Sequence, residues 1–425
     1  MLQTLKNAWK IADLRKRIIF TIFIVFIFRM GHFIPVPNIN ADALKSLASS
    51  NTLVGFYDLI SGGAFGNFSI FAMGVVPYIN ASIIMQLMTV IVPYLEQLSK
   101  EGQEGRAKIQ NITRYVAIAI GIVQAYGTYI IIYNAGAVEV DSLLNTVLII
   151  VTLVAASTFL MWLGDRITEN GVGSGVSVLI FINILSRFPT LMYQVFALYT
   201  GGSIDIVMLA LFIVVVILLF VGVVAFSLGE RRIPVQYAGR VVGTKQFKGQ
   251  STHIPVGISS SAVISIIFAM SVMQFPATVA QFFPDWAVAK WMMESNWSVF
   301  KANTLPYAIL YVVLVLFFSW FYTNITFKPE EMAENMAKSG GYVAGIRPGA
   351  ATAKYLERIL DKVSIVGGLF AAFIAVFPII LEGFTSFQGL AFGGTMLFIM
   401  IGVAMDTMKQ LESQLVMRHY QGFLK

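Results

Sequence analysis

The chain has 425 residues, of which 57% are hydrophobic and only 12% are charged, and its mean hydropathy is +0.77. This composition excludes an ordinary soluble globular protein and indicates an integral membrane protein. The chain contains no cysteine, which excludes disulfides and thiolate metal sites, and its three histidines (His32, His253 and His419) lie far apart in the sequence. We therefore expect neither a cofactor nor a metal centre.

Ten hydrophobic segments are long enough to cross a membrane core of about 30 Å, which takes about twenty residues each. No short apolar run with a cleavage site follows the basic N-terminus, so we expect the first segment to be an anchor. The sequence thus predicts an all-α integral membrane protein with ten transmembrane helices. They are expected near 17–36, 75–95, 112–133, 144–163, 176–198, 204–228, 258–283, 304–327, 363–382 and 388–408.

Just before the second span, the apolar stretch from Leu59 to Leu87 is interrupted by small and turn-forming residues. A broken helix survives in lipid only where other helices bury it or where it lines an aqueous cavity. The pattern predicts a re-entrant half-helix, or stopper, over about 55–72 and a second half beginning at Pro77. The alternative is an ordinary helix kinked at Pro77.

Lysine and arginine fall mostly on one side of these spans, and the opposite side keeps only Lys45, Lys290 and Lys301. The positive-inside rule then places both termini in the cytosol. Ten spans divide into two sets of five, and because five is odd, such halves would be inverted in the membrane. We predict an N-terminal half over 1–198 and a C-terminal half over 199–425, with a pathway between them.

Two long cytosolic loops, 229–257 and 328–362, follow the sixth and eighth spans. Glycines and a proline in the second loop would present Arg347 on an exposed tip. Two protruding basic loops on one face indicate docking of a large partner. The alternative, a set of anchors near anionic lipid, fits the individual lysines better than it fits Arg347. The basic residues of the first loop are Arg231, Arg232, Arg240, Lys245 and Lys248.

Few ionisable residues lie within the spans. Arg29 would snorkel outward or pair with a carboxylate, and Arg187 would either end the membrane part of the fifth span early or face the cavity. Asp165 and Arg166 are predicted to form an interfacial pair. The spans lack the buried carboxylates and histidines that a coupled transporter or an intramembrane enzyme needs, so the sequence favours neither of these two classes.

Seven sequence motifs are spread over nearly the full length of the chain. They are SIFAMGVVPYINASIIMQL (69–87), TRY (113–115), FLMWLGDRITENGVGSG (159–175), QSTHIP (250–255), FPATVAQFF (275–283), KSGGYVAGIRPG (338–349) and MDTMKQLESQL (405–415). Together and in this order they resemble the SecY family, the protein-conducting channel of the bacterial Sec pathway.

The resemblance implies an hourglass pore between the two halves, with an apolar waist that excludes water and ions until a polypeptide replaces the seal. It places a lateral gate between the second and third spans and the seventh and eighth, with Gln124 and Ser259 as gate residues. Motif alignment assigns the waist, here called the pore ring, to Ile79, Ile83, Ile180, Ile184, Ile267 and Ala404. It assigns the plug helix to the stopper, including Gly62, Gly63, Ala64, Phe65 and Gly66.

The resemblance also implies partners: SecE, SecG, and either the ATPase SecA or a ribosome docked on the basic loops. Arg347 matches the loop arginine that couples to SecA, and the other basic residues would equally meet ribosomal RNA phosphates. Secretory and membrane proteins would be the substrates. The location would be the bacterial cytoplasmic (inner) membrane, and the energy would come from the partner, because the chain has no nucleotide-binding loop.

The chain departs from the family pattern at several positions near the gate and the waist. Ser259, Ala262 and Ser265 stand where asparagine, glycine and proline are common, Asn183 replaces a common glycine, and Ala404 is smaller than the usual ring residue. We expect a somewhat different gate-opening energy but the same activity.

Overall fold

The computed structural model describes residues 2–40, 63–134, 136–202, 204–237, 241–242, 245–246, 251–258, 262–282, 286–295, 297–301, 304–384 and 394–422. The chain packs as two compact units. Unit 1 contains Met1–Thr200, Gln274–Ala302 and Val403–Lys425, and unit 2 contains Gly201–Met273 and Asn303–Gly402. Unit 1 includes two segments from the second half of the chain, so the two units do not coincide with the two predicted halves. The division into halves at 198/199 stays a prediction.

The first 200 residues form seven described helices. They are α1 Leu2–Lys10, α2 Ala12–Gly31, α3 Val76–Ile91, α4 Pro93–Lys100, α5 Gln103–Asn134, α6 Leu143–Asn170 and α7 Gly175–Thr200.

The remaining part of the chain adds seven helices and five short strands. The helices are α8 Ile206–Ser227, α9 Ala262–Phe282, α10 Ala287–Glu294, α11 Leu305–Phe327, α12 Pro329–Lys338, α13 Ala350–Phe384 and α14 Gly394–Gly422. The strands are β1 Glu230–Tyr237, β2 Val241–Val242, β3 Lys245–Gln246, β4 Ser251–Gly257 and β5 Gly341–Tyr342.

Seven of the described helices are long and apolar enough to cross a membrane, or eight if the bent pair α3 and α4 counts as one span. α2 and α14 lie at two further predicted segments, 17–36 and 388–408, and residues 388–393 of the latter are outside the described ranges. The fold is therefore that of an all-α, multi-pass integral membrane protein, as the sequence predicts.

Two prolines set the limits of α3. Pro77 lies in its first turn, where the missing N–H costs nothing because that group has no partner inside the helix. Val92 is extended (φ −96°, ψ 111°), as expected for a residue that precedes a proline, and Pro93 starts α4 after a bend of 97°. The break predicted at Pro77 is confirmed, whereas the bend at Pro93 was not anticipated.

The segment before α3 differs from the half-helix predicted there. Residues 55–62 lie outside the described ranges, and residues 63–75 form a run of turns interrupted by a short bridge at Ser69. Positive φ angles at Gly63 (91°), Phe68 (39°) and Gly74 (56°) are incompatible with a continuous right-handed helix. We call residues 63–75 the turn segment.

Backbone hydrogen bonds hold the turn segment against the chain that follows α2. The N–H of Val36 donates to the carbonyl of Phe68 at 2.9 Å, and the N–H of Ile70 donates to the carbonyl of Ile34 at 2.9 Å. Pro35 and Ser69 thus face each other in an antiparallel bridge. Because buried backbone groups need partners, these bonds stand in for the missing helical ones.

Candidate functional site

Two helices of unit 1 bring predicted ring residues into one apolar cluster. Ile79 on α3 and Ile180 on α7 both pack against a core that includes Phe71, Val75 and Leu179. These two isoleucines are half-buried. The end of the turn segment therefore lies between two of the helices predicted to form the ring.

The second ring residue on each helix lies one turn further along. Ile83 on α3 is 5% exposed, and Ile184 on α7 is half-buried. Since residues four apart share a helix face, each pair presents one apolar stripe, as the sequence predicts.

The last two ring candidates are half-buried too: Ala404 on α14 belongs to unit 1, and Ile267 on α9 belongs to unit 2. That all six residues together form a closed ring around a pore stays a prediction.

Among the predicted plug residues, Gly62 lies outside the described ranges, and the others begin the turn segment. Ala64 is fully buried and Phe65 is 2% exposed, whereas Gly63 and Gly66 are half-buried. A Cβ added at Gly63 would lie 3.8 Å from the guanidinium carbon of Arg187. α7 continues past this arginine to Thr200, and Arg187 lies beside the turn segment.

Of the two predicted gate residues, only Gln124 is described. It lies on α5 and lines a small crevice with Phe65, Met73 and Thr278, among others. Thr278 belongs to the part of α9 that packs in unit 1. The structure thus places Gln124 where the third and seventh predicted spans line one crevice, and Ser259 falls outside the described ranges.

The two predicted docking loops fold into one module of unit 2, which the sequence did not indicate. Strands β4, β1 and β5 form an antiparallel sheet in that order, in which Glu230 pairs with Gly257 and Gln236 pairs with both Ser251 and Tyr342. One apolar cluster joins the sheet to α12 and α13. Its buried members are Ile233, Val235, Val256, Ala333, Met336, Val343, Leu356 and Leu360.

The alternation of buried and exposed residues along β1 explains why Arg232 lies on the outside of this module, on the face opposite Ile233 and Val235. Arg231 and Arg232 are exposed, whereas Ile233 and Val235 face the core. The Nε of Arg232 donates to Glu230 at 2.7 Å. Alternation of this kind in ERRIPVQY was the signal that could have predicted a strand.

The loop after β5 carries Arg347. This arginine is exposed, and its carbonyl accepts a hydrogen bond from the Thr352 hydroxyl at 2.9 Å in the first turn of α13. Positive φ angles at Gly345 (82°) and Gly349 (97°) form the turns on either side. Of the other predicted docking residues, Lys245 lies in β3, and Arg240 and Lys248 are outside the described ranges.

Comparison with known proteins gives a consistent result. A sequence model of the SecY family, described as SecY, matches residues 69–408. The protein translocase subunit SecY of Halalkalibacterium halodurans is 42% identical over 436 positions, which cover 100% of both chains. The same subunit of Thermotoga maritima is 39% identical and that of Bacillus subtilis 40% identical; each alignment covers 100% of this chain and at least 98% of the relative.

Solved structures show the same fold at lower sequence identity. One, described as "The structure of a protein conducting channel", has a TM-score of 0.66 and 18% identity, and the match covers 94% of this chain and 92% of that one. Another, "Sec61 in the Canine ribosome-channel complex from the endoplasmic reticulum", has a TM-score of 0.62 with the same identity and coverage.

Proposed function

The chain belongs to the SecY family and is a subunit of a protein-translocation channel, and from this premise we propose that it is the central, pore-forming subunit. Unfolded secretory polypeptides would pass through it, and membrane spans would leave sideways through the gate lined by Gln124 and Ser259. The observation that carries the proposal is the packing of Ile79 and Ile180 against one cluster at the end of the turn segment. An apolar cluster beside the turn segment suits a seal that a polypeptide can replace.

The family is one of channels, so the chain is not an enzyme, and a partner must drive transport. We propose that the module of unit 2 receives this partner, either the ATPase SecA or a translating ribosome. The exposed side chains of Arg231, Arg232 and Arg347 support this docking role, because a guanidinium group can form bidentate hydrogen bonds with carboxylates and RNA phosphates. A similar fold occurs in a ribosome-bound Sec61 complex. SecE and SecG would complete the assembly.

We propose a location in the bacterial cytoplasmic membrane with both termini in the cytosol. The named relatives are bacterial, and the basic loops fall on one side of the spans. Lysines near that surface would also contact anionic lipid. The division into inverted halves at 198/199 belongs to the same proposal.

The decisive experiment is ATP-driven import of a secretory precursor into vesicles that contain this chain, SecE and SecA. We expect import by the wild type and its loss in Arg347→Glu. Arg358→Glu is the matched control, because Arg358 is also exposed and lies on α13, which follows the same loop.

The outcomes separate the two parts of the proposal. Equal import by wild type and Arg347→Glu would leave the channel standing and remove the coupling role of Arg347. Absence of import by the wild type, with the SecY of Bacillus subtilis active in parallel, would contradict the pore-forming role.

A further inference from the structure

His32, at the outer end of α2, makes polar contacts in two directions. Its Nδ1 donates to the carbonyl of Phe28 at 2.9 Å, and its Nε2 lies 3.1 Å from the Oδ1 of Asn183 on α7. His32 is 5% exposed and Asn183 is 2% exposed, so the contact is shielded from water. Because a side-chain amide offers both a donor and an acceptor, the bond can form with either protonation state of the ring.

The same imidazole packs on the turn segment. Its ring centroid lies 5.8 Å from that of Phe71, in an edge-to-face arrangement, and 4.6 Å from that of Phe28. The Phe28 and Phe71 rings stack at 5.9 Å. A Cβ at Gly31, the residue before His32, would overlap the Phe71 ring, so the end of α2 and the turn segment are in close contact. His32 thus touches both α7 and the segment that precedes α3.

Asn183 has a special place on α7, because it lies between the two ring candidates Ile180 and Ile184. Successive residues of a helix are turned by about 100° and displaced by about 1.5 Å. A rotation or shift of α7 by one residue would therefore separate Asn183 from His32 and redirect both isoleucines. In apolar surroundings, loss of such a bond costs free energy, so the bond favours one helix orientation.

We propose that His32 is a positioning residue of the resting channel: through Asn183 it fixes the rotation of α7 that points Ile180 and Ile184 at the pore, and through Phe71 it aligns the turn segment with them. This inference rests on the proposed pore ring. His32 lies outside the seven motifs that resemble the family. Its partner Asn183 stands where the family commonly has glycine.

The test is the resting ion leak of vesicles that contain the chain with SecE, measured for His32→Ala, Asn183→Ala and the double variant. We expect each single change to raise the leak about fivefold, the ratio that corresponds to one net hydrogen bond of about 1 kcal/mol. The double variant should leak no more than His32→Ala alone, because that change already removes the contact with Asn183.

Two further variants of His32 separate positioning from plain packing. His32→Gln keeps an amide that can reach Asn183, and we expect a leak near that of the wild type. His32→Phe fills the space between Phe28 and Phe71 without a polar group, so we expect retained thermal stability but a raised leak. His253→Ala is the control, since that histidine is exposed on β4, and it should leave the leak unchanged.

Additive effects in the double variant, or an equal leak in His32→Gln and His32→Ala, would overturn the positioning role. Ile180→Ser distinguishes this failure from failure of the ring itself. If Ile180→Ser leaks and the His32 variants do not, the ring stands and the role of His32 is wrong. If Ile180→Ser does not leak, the ring assignment of α7 fails, and the inference fails with it.

Discussion

Asp165 on α6 is paired with Arg114 on α5 and not with its neighbour Arg166. The Nη2 and Nε of Arg114 lie 2.7 and 3.1 Å from one carboxylate oxygen of Asp165, and Gln110 donates to the other oxygen at 3.1 Å. Arg166 instead pairs with Glu169 at 2.8 Å. The predicted pair of Asp165 and Arg166 is wrong, because adjacent helix residues point in directions about 100° apart.

The unequal burial of this pair predicts an unequal response to mutation. The Asp165 side chain is 12% exposed and that of Arg114 is 36% exposed. Arg114→Met removes the charged partner of a buried carboxylate and should lower the free energy of unfolding by about 3 kcal/mol. Asp165→Asn leaves a guanidinium that reaches water and should lower it by about 1 kcal/mol. Thermal unfolding of the purified variants measures both.

Arg166→Met is the control for this comparison, because the Arg166–Glu169 pair is exposed and such pairs contribute about 0–1 kcal/mol. An Asp165→Asn variant that unfolds at a lower temperature than Arg114→Met would contradict the argument from burial.

A second prediction concerns the tight turn between α6 and α7. A Cβ at Gly175 would overlap the carbonyl of Gly164, which is backbone and cannot move aside, and the N–H of Gly175 donates to Thr168 at 2.8 Å. Gly175→Ala should therefore destabilise the fold by about 3 kcal/mol or more. Gly222→Ala on α8 is the matched control, since no atom other than the adjoining backbone of its own helix lies within 4 Å of its Cβ position, and alanine favours a helix over glycine by about 1 kcal/mol.

The measurement for both glycine variants is the fraction of folded, monodisperse protein after heating in detergent. We expect Gly175→Ala to fall well below the wild type and Gly222→Ala to match or exceed it. Equal loss in the two variants would mean that the close approach of α6 and α7 is not what limits stability.

Much of the fold could be predicted because it depends on local sequence. Apolar runs of about twenty residues mark spans, and the start of α3 at Pro77 follows from the chemistry of proline. The sheet of unit 2 could not be predicted in this way. β1 pairs with β5 more than one hundred residues later, so no local pattern contains both partners.

The polar contacts of the candidate site also join residues that lie far apart in the sequence. The sequence treats His32 only as a histidine too isolated for a metal site, whereas the structure places it 3.1 Å from Asn183, which is 151 positions later. The ring isoleucines came from a resemblance to the family and not from their spacing, because two isoleucines four residues apart occur on many packed helices.

A third prediction addresses the module of unit 2. Leu356 on α13 is fully buried in the cluster that joins the sheet to α12, and Leu369 on the same helix is 54% exposed. Leu356→Ala should cost about 3 kcal/mol through the lost contacts and the cavity left behind, and Leu369→Ala should cost less than about 1 kcal/mol.

Hydrogen exchange of the backbone amides can locate this effect. In Leu356→Ala we expect faster exchange in β1, β4 and α12 and unchanged exchange in α6, which belongs to unit 1. ATP-driven import should fall as well, because the surface that carries Arg347 loses its support. Faster exchange spread evenly over both units would contradict a separate module.

The last prediction concerns the smallest residue of the proposed ring. Ala404 presents only a methyl group where the other five ring residues are isoleucines, so the seal should be weakest on its side. A larger apolar side chain narrows the constriction and favours dewetting. We therefore expect Ala404→Ile to lower the resting ion leak, and Ile83→Asn, which places an amide in the seal, to raise it. Ala210→Ile, at an exposed position on α8, is the size-matched control and should not change the leak. An unchanged leak in Ala404→Ile would remove Ala404 from the ring, while an unchanged leak in Ile83→Asn would argue against α3 as one of its walls.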